Sequence, residues 1–268
     1  MINKVSIAGS GNVAMHIAPA LIAAGVKVVS IYSRNLQHAS SLAALAGAIP
    51  VDHISLLDDN AELLLIALPD KVIPEFASQL KHNGNFHGIV AHTCGSQPLS
   101  VLSDLFDKAG VFYPLQSFSR FSQPDIKEVP FCIEASNNEL ALNLSELAGR
   151  ISGNVRFLDS QQRAIVHLAA VFACNFSNHM YALSADILEK EGIKADILQP
   201  LIRETANRLG DLHPGMLQTG PAVRGDFQTI DSHLKLLEEF PELKPVYMQI
   251  SDSIAGWESR SKIRIIKT

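Results

Sequence analysis

The 268-residue chain has few of the features that mark specialised protein classes. Its three cysteines, Cys94, Cys132 and Cys174, are odd in number, widely spaced and without a CxxC pair. That pattern argues against a disulfide framework or a zinc site and leaves them as structural thiols. Neither do His16, His38, His53, His82, His87 and His233 have metal-ligand spacing, so no metal is expected. Apolar runs such as residues 63–69 fall far short of the roughly 20 residues a membrane-crossing helix needs. The opening Met1-Ile-Asn-Lys4 leads straight into a strand-like segment, with no signal-peptide pattern. The expectation is a cytoplasmic chain without membrane attachment. Positive charge is also scarce: 22 Lys and Arg stand against 27 Asp and Glu, and a net charge of −5 gives no general attraction to nucleic acid. A small molecule is the expected partner.

What is present is a globular composition, 47% hydrophobic and 18% charged, with enough apolar residues for a sizeable core. Single cores rarely grow past roughly 250–300 residues, which favours two domains at this length. Val/Ile/Leu-rich runs at 4–8, 27–32, 63–67, 89–92, 110–113, 131–135 and 154–157 alternate with amphipathic Ala-rich segments. This is the pattern of an α/β fold, a parallel sheet with helices on both faces. From about Asp159 the strand signals stop and long helices are expected at 160–191, 195–212, 231–240 and 243–259. The boundary therefore falls near residue 158, giving domains 1–158 and 159–268, the second all-α. The basic stretch 259–268 reads as a solvated terminus.

Gly9-Ser10-Gly11-Asn12-Val13-Ala14 matches GxGxxA directly after the first strand and opens an Ala/Ile/Leu-rich helix. That context turns a weak pattern into a dinucleotide-binding fingerprint of the Rossmann type. Gly9 permits the tight turn, Gly11 lets the backbone approach a pyrophosphate, and the helix N-terminus offers free N–H groups to the phosphates. The second strand ends in Ser33-Arg34-Asn35, without the acid that would hold both ribose hydroxyls of NAD(H). Ser33 and Arg34 can donate instead to a 2′-phosphate, so NADP(H) is the expected cofactor. Ala67, Leu68 and Pro69, at the carboxyl end of a buried strand, are expected beside the nicotinamide ribose, with Thr93 nearby.

His92-Thr93-Cys94-Gly95-Ser96 ends the next strand on the same edge. His92 can act as acid or base, while Gly95 and Ser96 can hold a substrate anion; alternatively, Ser96 caps the following helix and His92 is a satisfied edge histidine. On the first long helix, the 100° step places Arg163, His167, Val171, Cys174, Asn175 and Asn178 on one stripe. These groups pair within a helix bundle or face a ligand, with His167 a second proton-donor candidate and Asn175 and Asn178 orienting amides. The segment Thr219-Gly-Pro-Ala-Val-Arg224-Gly-Asp226 reads as an ordinary connector or as a loop in which Asp226 holds Arg224 as an anion clamp.

The segments GSGNVA at 9–14, HTCGS at 92–96, YPLQSFS at 113–119, HLAAVFACNFSNHM at 167–180 and TGPAVRGD at 219–226 together resemble a bacterial family of Rossmann-like proteins carrying the helical domain DUF2520. The resemblance spans nearly the whole chain. It implies an NADP oxidoreductase distantly similar to pyrroline-5-carboxylate reductase and the β-hydroxyacid dehydrogenases. The latter family's Lys on the first long C-terminal helix has no counterpart between Phe172 and Asn175, although Asn175 matches its neighbour. Two functions follow as expectations: hydride transfer to or from a small carbonyl or imine in an interdomain cleft, or a non-catalytic NADP(H)-binding sensor. Apolar faces in excess on the helical half imply a homodimer.

Overall fold

The structure, a computed structural model, describes residues 1–83, 86–210 and 212–265, with side chains through residue 257. The basic stretch 259–268 lies outside the residues whose side chains are described. The chain divides into two compact units, Met1–Ser177 and Asn178–Thr268. The change from alternating strands and helices to helices alone occurs earlier, between Phe157 and Ser160.

In the first unit, β1 (Lys4–Ala8), β2 (Lys27–Tyr32), β3 (Ile49–Val51), β4 (Leu63–Ile66), β5 (Ile89–His92), β6 (Ala109–Pro114), β7 (Phe131–Ala135) and β8 (Val155–Phe157) form one sheet in the order 3-2-1-4-5-6-7-8. All neighbouring pairs are parallel except β6 with β7. The helices are α1 (Asn12–Ala23), α2 (Leu36–Ala46), α3 (Ile73–Asn83), α4 (Ser100–Ser103), α5 (Asn138–Gly149) and α6 (Ser160–Ala170). Alternate side chains of β4 explain its continuous apolar run: Leu63 and Leu65 enter the core beneath α1, α2 and α5, while Leu64 and Ile66 enter the core beneath α3 and α4. Helices therefore cover both faces, as expected of a Rossmann-type domain. The sequence reading missed β3, which is only three residues long, contains Pro50 and lies at the sheet edge, where proline is tolerated.

Local chemistry fixes the helix starts. Asn35 accepts N–H bonds from Gln37 and His38 to cap α2, Asn137 caps α5, and Asp159 with Gln162 forms a capping box on α6. The expected single helix 160–191 is not uniformly α. After α6 the backbone widens into a π segment, Val171–Phe176, before α7 (Ser177–Lys190). Each π residue advances less around the axis than an α residue. The stripe drawn from Arg163 and His167 to Asn175 and Asn178 on ideal 100° steps is therefore not maintained.

Arg163, completely buried, joins α6 to the sheet. Its guanidinium forms an ion pair with Glu134 on β7 and donates to the Gln97 carbonyl at 2.6 Å. The Ser160 hydroxyl donates to the same carboxylate at 2.8 Å and accepts the Leu99 N–H at 2.9 Å.

The second unit continues with α8 (Gln199–Asn207), α9 (Pro221–Arg224), α10 (Phe227–Leu236) and α11 (Leu243–Ile265). The expected helix 195–212 begins as a 3-10 turn, Ala195–Leu198, and is α-helical only over α8. The helix expected from 231 starts at Phe227, because the Asp226 carboxylate caps it through the Thr229 N–H at 3.1 Å.

Candidate functional site

The ends of β1, β2 and β4 enclose a cavity of about 620 Å³ in the first unit, lined among others by Gly9, Ser10, Gly11, Ser33, Arg34, Ala67, Leu68 and Pro69. Gly9 sits at φ +123°, and a Cβ there would run into the Ala67 carbonyl, so the turn excludes any side chain twice over. Its N–H donates to the Tyr32 carbonyl at 2.8 Å, fixing the turn against β2. At the start of α1, Gly11 provides no side-chain cap, leaving the first-turn N–H groups open to an anionic group. Arg34 is exposed on the cavity wall, and among the described residues it forms no ion pair. The residues present fit NADP(H): a backbone cradle for the pyrophosphate, a guanidinium for the 2′-phosphate, and no carboxylate in the run Ser33-Arg34-Asn35 that ends β2.

Three residues expected here lie outside the cavity lining. The Asn12 amide donates to the Phe118 carbonyl at 3.1 Å, Val13 packs against the core, and the Thr93 hydroxyl turns back to the Ile66 carbonyl at 3.3 Å. Sequence reading in turn missed Arg120, which lines the cavity from the connection after β6.

A second polar cluster occupies the carboxyl ends of β5 and β6 on the same sheet edge. The Tyr113 hydroxyl and His167 Nδ1 are 3.0 Å apart, and the rings meet edge to face. Gly95 lies directly against both: a Cβ on it would come within 2.7 Å of the Tyr113 ring and 2.8 Å of His167 Nδ1. Burial pushes the Tyr113 phenol up to about 12. His92 is wholly enclosed one strand away. Its Nδ1 accepts the Cys94 N–H at 3.2 Å, and desolvation, reinforced by the Arg163 charge, lowers its pKa to about 4. It is thus a neutral imidazole at physiological pH, enclosed at the strand end, and its Nε2 finds no hydrogen-bond partner among the described residues. Ser96 does not cap α4, which has no side-chain cap; its hydroxyl donates to Asp70 at 2.7 Å, committing the proton that an anion would need. Tyr113 opens the YPLQSFS segment, but its pairing with a histidine 54 positions away has no local sequence signal.

Asn175 is exposed on the π segment. In the second unit, Asn178 is exposed, and Arg224 lies 3.9 Å from Asp226 while remaining 62% accessible. Among the described residues no group of three His, Cys, Asp or Glu is arranged to hold a metal ion, and no helix is long and apolar enough to cross a membrane.

An open sheet that keeps a phosphate-accepting glycine turn and a proton-bearing cluster along one edge has the layout of dinucleotide-dependent oxidoreductases. Two family models match the chain: "NADP oxidoreductase coenzyme F420-dependent" over residues 4–93 and "Domain of unknown function (DUF2520)" over residues 129–254. No curated protein matches. Among solved structures, the "putative NADP oxidoreductase" of Bacteroides fragilis is 38% identical, with 95% of this chain and 98% of that one covered at a TM-score of 0.90. A reductive aminase from Aspergillus terreus in complex with NADPH and ethyl levulinate is 14% identical, covering 95% and 93%, with a TM-score of 0.68. A pyrroline-5-carboxylate reductase from Coxiella burnetii is 15% identical, covering 97% and 98%, with a TM-score of 0.59. The last two share the fold. The chain belongs to the family of NADP oxidoreductases that carry the DUF2520 helical domain, and its cofactor is NADP(H).

Proposed function

We propose that the chain is a reductase that transfers hydride between NADP(H) and a small C=O or C=N substrate, with Tyr113 and His167 handling the proton. The observation that carries this reading is the 3.0 Å hydrogen bond between these side chains at the cofactor-binding edge of the sheet. Bound NADP(H) supplies the hydride. The Tyr113 hydroxyl holds a proton at Oη, and His167 Nδ1 orients it and replaces the proton from solvent through the ring. His167 is the more open of the two, half-buried on α6. Gly95 leaves the space in which the pair meets, and Asn175 is assigned as an orienting amide. Asp70, bound by Ser96, puts a carboxylate at the reaction end, which suits a protonated imine better than the carboxylate of an oxo acid. Residues 1–158 form the cofactor domain in this proposal and 159–268 the substrate and dimerisation domain, to which Asn178 and the Arg224 anion clamp belong.

The test is NADPH oxidation, followed by absorbance, against a panel of cyclic imines, 2-oxo acids and 3-oxo acids. Turnover is expected first on the imines. Tight NADPH binding with no turnover across the panel would favour the sensor reading, which the missing Lys supports.

Cofactor choice has its own check. Arg34→Ala is expected to weaken NADPH binding about tenfold or more, the loss of a charge-assisted contact, while leaving NADH binding unchanged in a fluorescence titration.

The same proposal includes a homodimer in the cytoplasm. Within Asn178–Thr268 only Leu237 and Leu243 are buried apolar side chains among the described residues, whereas Phe227 is 73%, Leu236 71% and Ile197 65% accessible. A helical unit with so little core of its own is expected to be covered by a second copy. Light scattering coupled to gel filtration should give twice the 29.1 kDa chain mass. The unpaired Cys94 and Cys132 suit a reducing compartment.

A further inference from the structure

We infer that Arg120 is a second phosphate-binding residue, delivered to the cofactor pyrophosphate by a loop strapped across the start of α1; the inference rests on the NADP(H) reading of the same cavity. The loop leaves β6 and is pinned to α1 on both sides of Arg120. Before it, the Asn12 amide donates to the Phe118 carbonyl at 3.1 Å, and the Phe118 ring stacks on His16 with centroids 4.7 Å apart. After it, His16 Nε2 lies 3.0 Å from the Ser122 carbonyl oxygen and its Nδ1 2.8 Å from that of Asn12, so a ring N–H donates to one carbonyl or the other according to the tautomer. The Ser122 N–H closes a turn onto the Ser119 carbonyl at 3.2 Å, which leaves Arg120 within the turn.

Arg120 thus lines the cavity together with Gly9, Ser10 and Gly11. It is exposed and, among the described residues, has no carboxylate partner. In a chain of net charge −5, two unpaired guanidiniums facing one cavity match a ligand with two separate anionic groups. NADP(H) has a 2′-phosphate and a pyrophosphate. Arg34 follows β2, where the 2′-phosphate belongs. The strap fixes Arg120 to the first turns of α1, whose N-terminus is the pyrophosphate position. A bidentate guanidinium then supplements backbone N–H groups that no side chain caps.

This assignment separates the two arginines experimentally. Fluorescence titrations of the full chain with NADPH and NADH are expected to give Kd values raised about tenfold for both nucleotides in Arg120→Ala, with an unchanged melting temperature and partial recovery in Arg120→Lys. In the double variant with His16→Ala, which releases the strap, the losses are expected to be less than multiplicative, because both changes remove one contact. Unchanged affinity for both nucleotides in Arg120→Ala would remove Arg120 from the site. A loss confined to NADPH would place it at the 2′-phosphate and overturn the pyrophosphate assignment. If the unmodified chain bound neither nucleotide, the cofactor reading itself would fall, and the inference with it.

Discussion

Tyr113→Phe and His167→Asn are each expected to lower kcat by about 10²–10⁴, the usual contribution of a positioned proton donor, while leaving the NADPH Kd unchanged. Tyr113→Phe removes one oxygen from a side chain that is 9% accessible and keeps the ring that fills the space beside Gly95. A folding defect is therefore not the expected cause of any loss. Because the two groups share one hydrogen bond, the double variant is expected to lose little more than either single one. The Tyr113 pKa, raised to about 12 by burial, keeps the phenol protonated, so this group should produce no alkaline fall in rate until pH approaches about 12. His92→Ala makes the contrast. His92 is enclosed and neutral, and its loss is expected to lower the melting temperature while leaving kcat within a small factor. Full turnover in both the Tyr113 and the His167 variants would remove the proton-transfer assignment.

Glu134→Ala is expected to cost about 3–5 kcal/mol of stability, the consequence of stranding a buried charge. In a protein of this size that corresponds to a fall of about 6–20 °C in melting temperature. Arg163 is completely buried, and its remaining partners, the Gln97 carbonyl and Ser160, carry no charge to balance it. Glu134→Gln keeps an acceptor in place and should lose less. The exposed pair of Arg208 with Glu204, one helical turn apart at 3.7 Å, serves as the control, and Glu204→Ala is expected to shift stability by no more than about 0.5 kcal/mol. A loss below about 1 kcal/mol in Glu134→Ala would show that the Arg163 site admits water or relaxes.

The cofactor half was legible in the sequence because its signals are local. Strand β1, the glycine turn and α1 occupy twenty consecutive residues, and the missing acid after β2 needed only Ser33-Arg34-Asn35 to be read. Elements that depend on distant partners were not legible. Strand β3 exists because β2 offers it an edge, and nothing in Ile49-Pro50-Val51 specifies a strand by itself. The π segment has an unremarkable helical composition, so the phase change between His167 and Asn178 was invisible to a periodicity argument. Tyr113 meets His167, and Phe118 meets His16, only after the sheet has assembled. For the same reason His92 looked like a candidate acid on its strand end, whereas its burial and the neighbouring Arg163 charge come from chain folded over it.

The reversal of β7 against β6 also ties the proton-handling pair to the far end of the sheet. The Glu134 carboxylate meets Arg163 and Ser160 because β7 docks antiparallel beside β6, and Arg163 reaches on to the Gln97 carbonyl. The helix carrying His167 is therefore seated by the last strands of the sheet, whereas the glycine turn is held by β1, β2 and β4, so damage at β7 should reach catalysis before it reaches nucleotide binding.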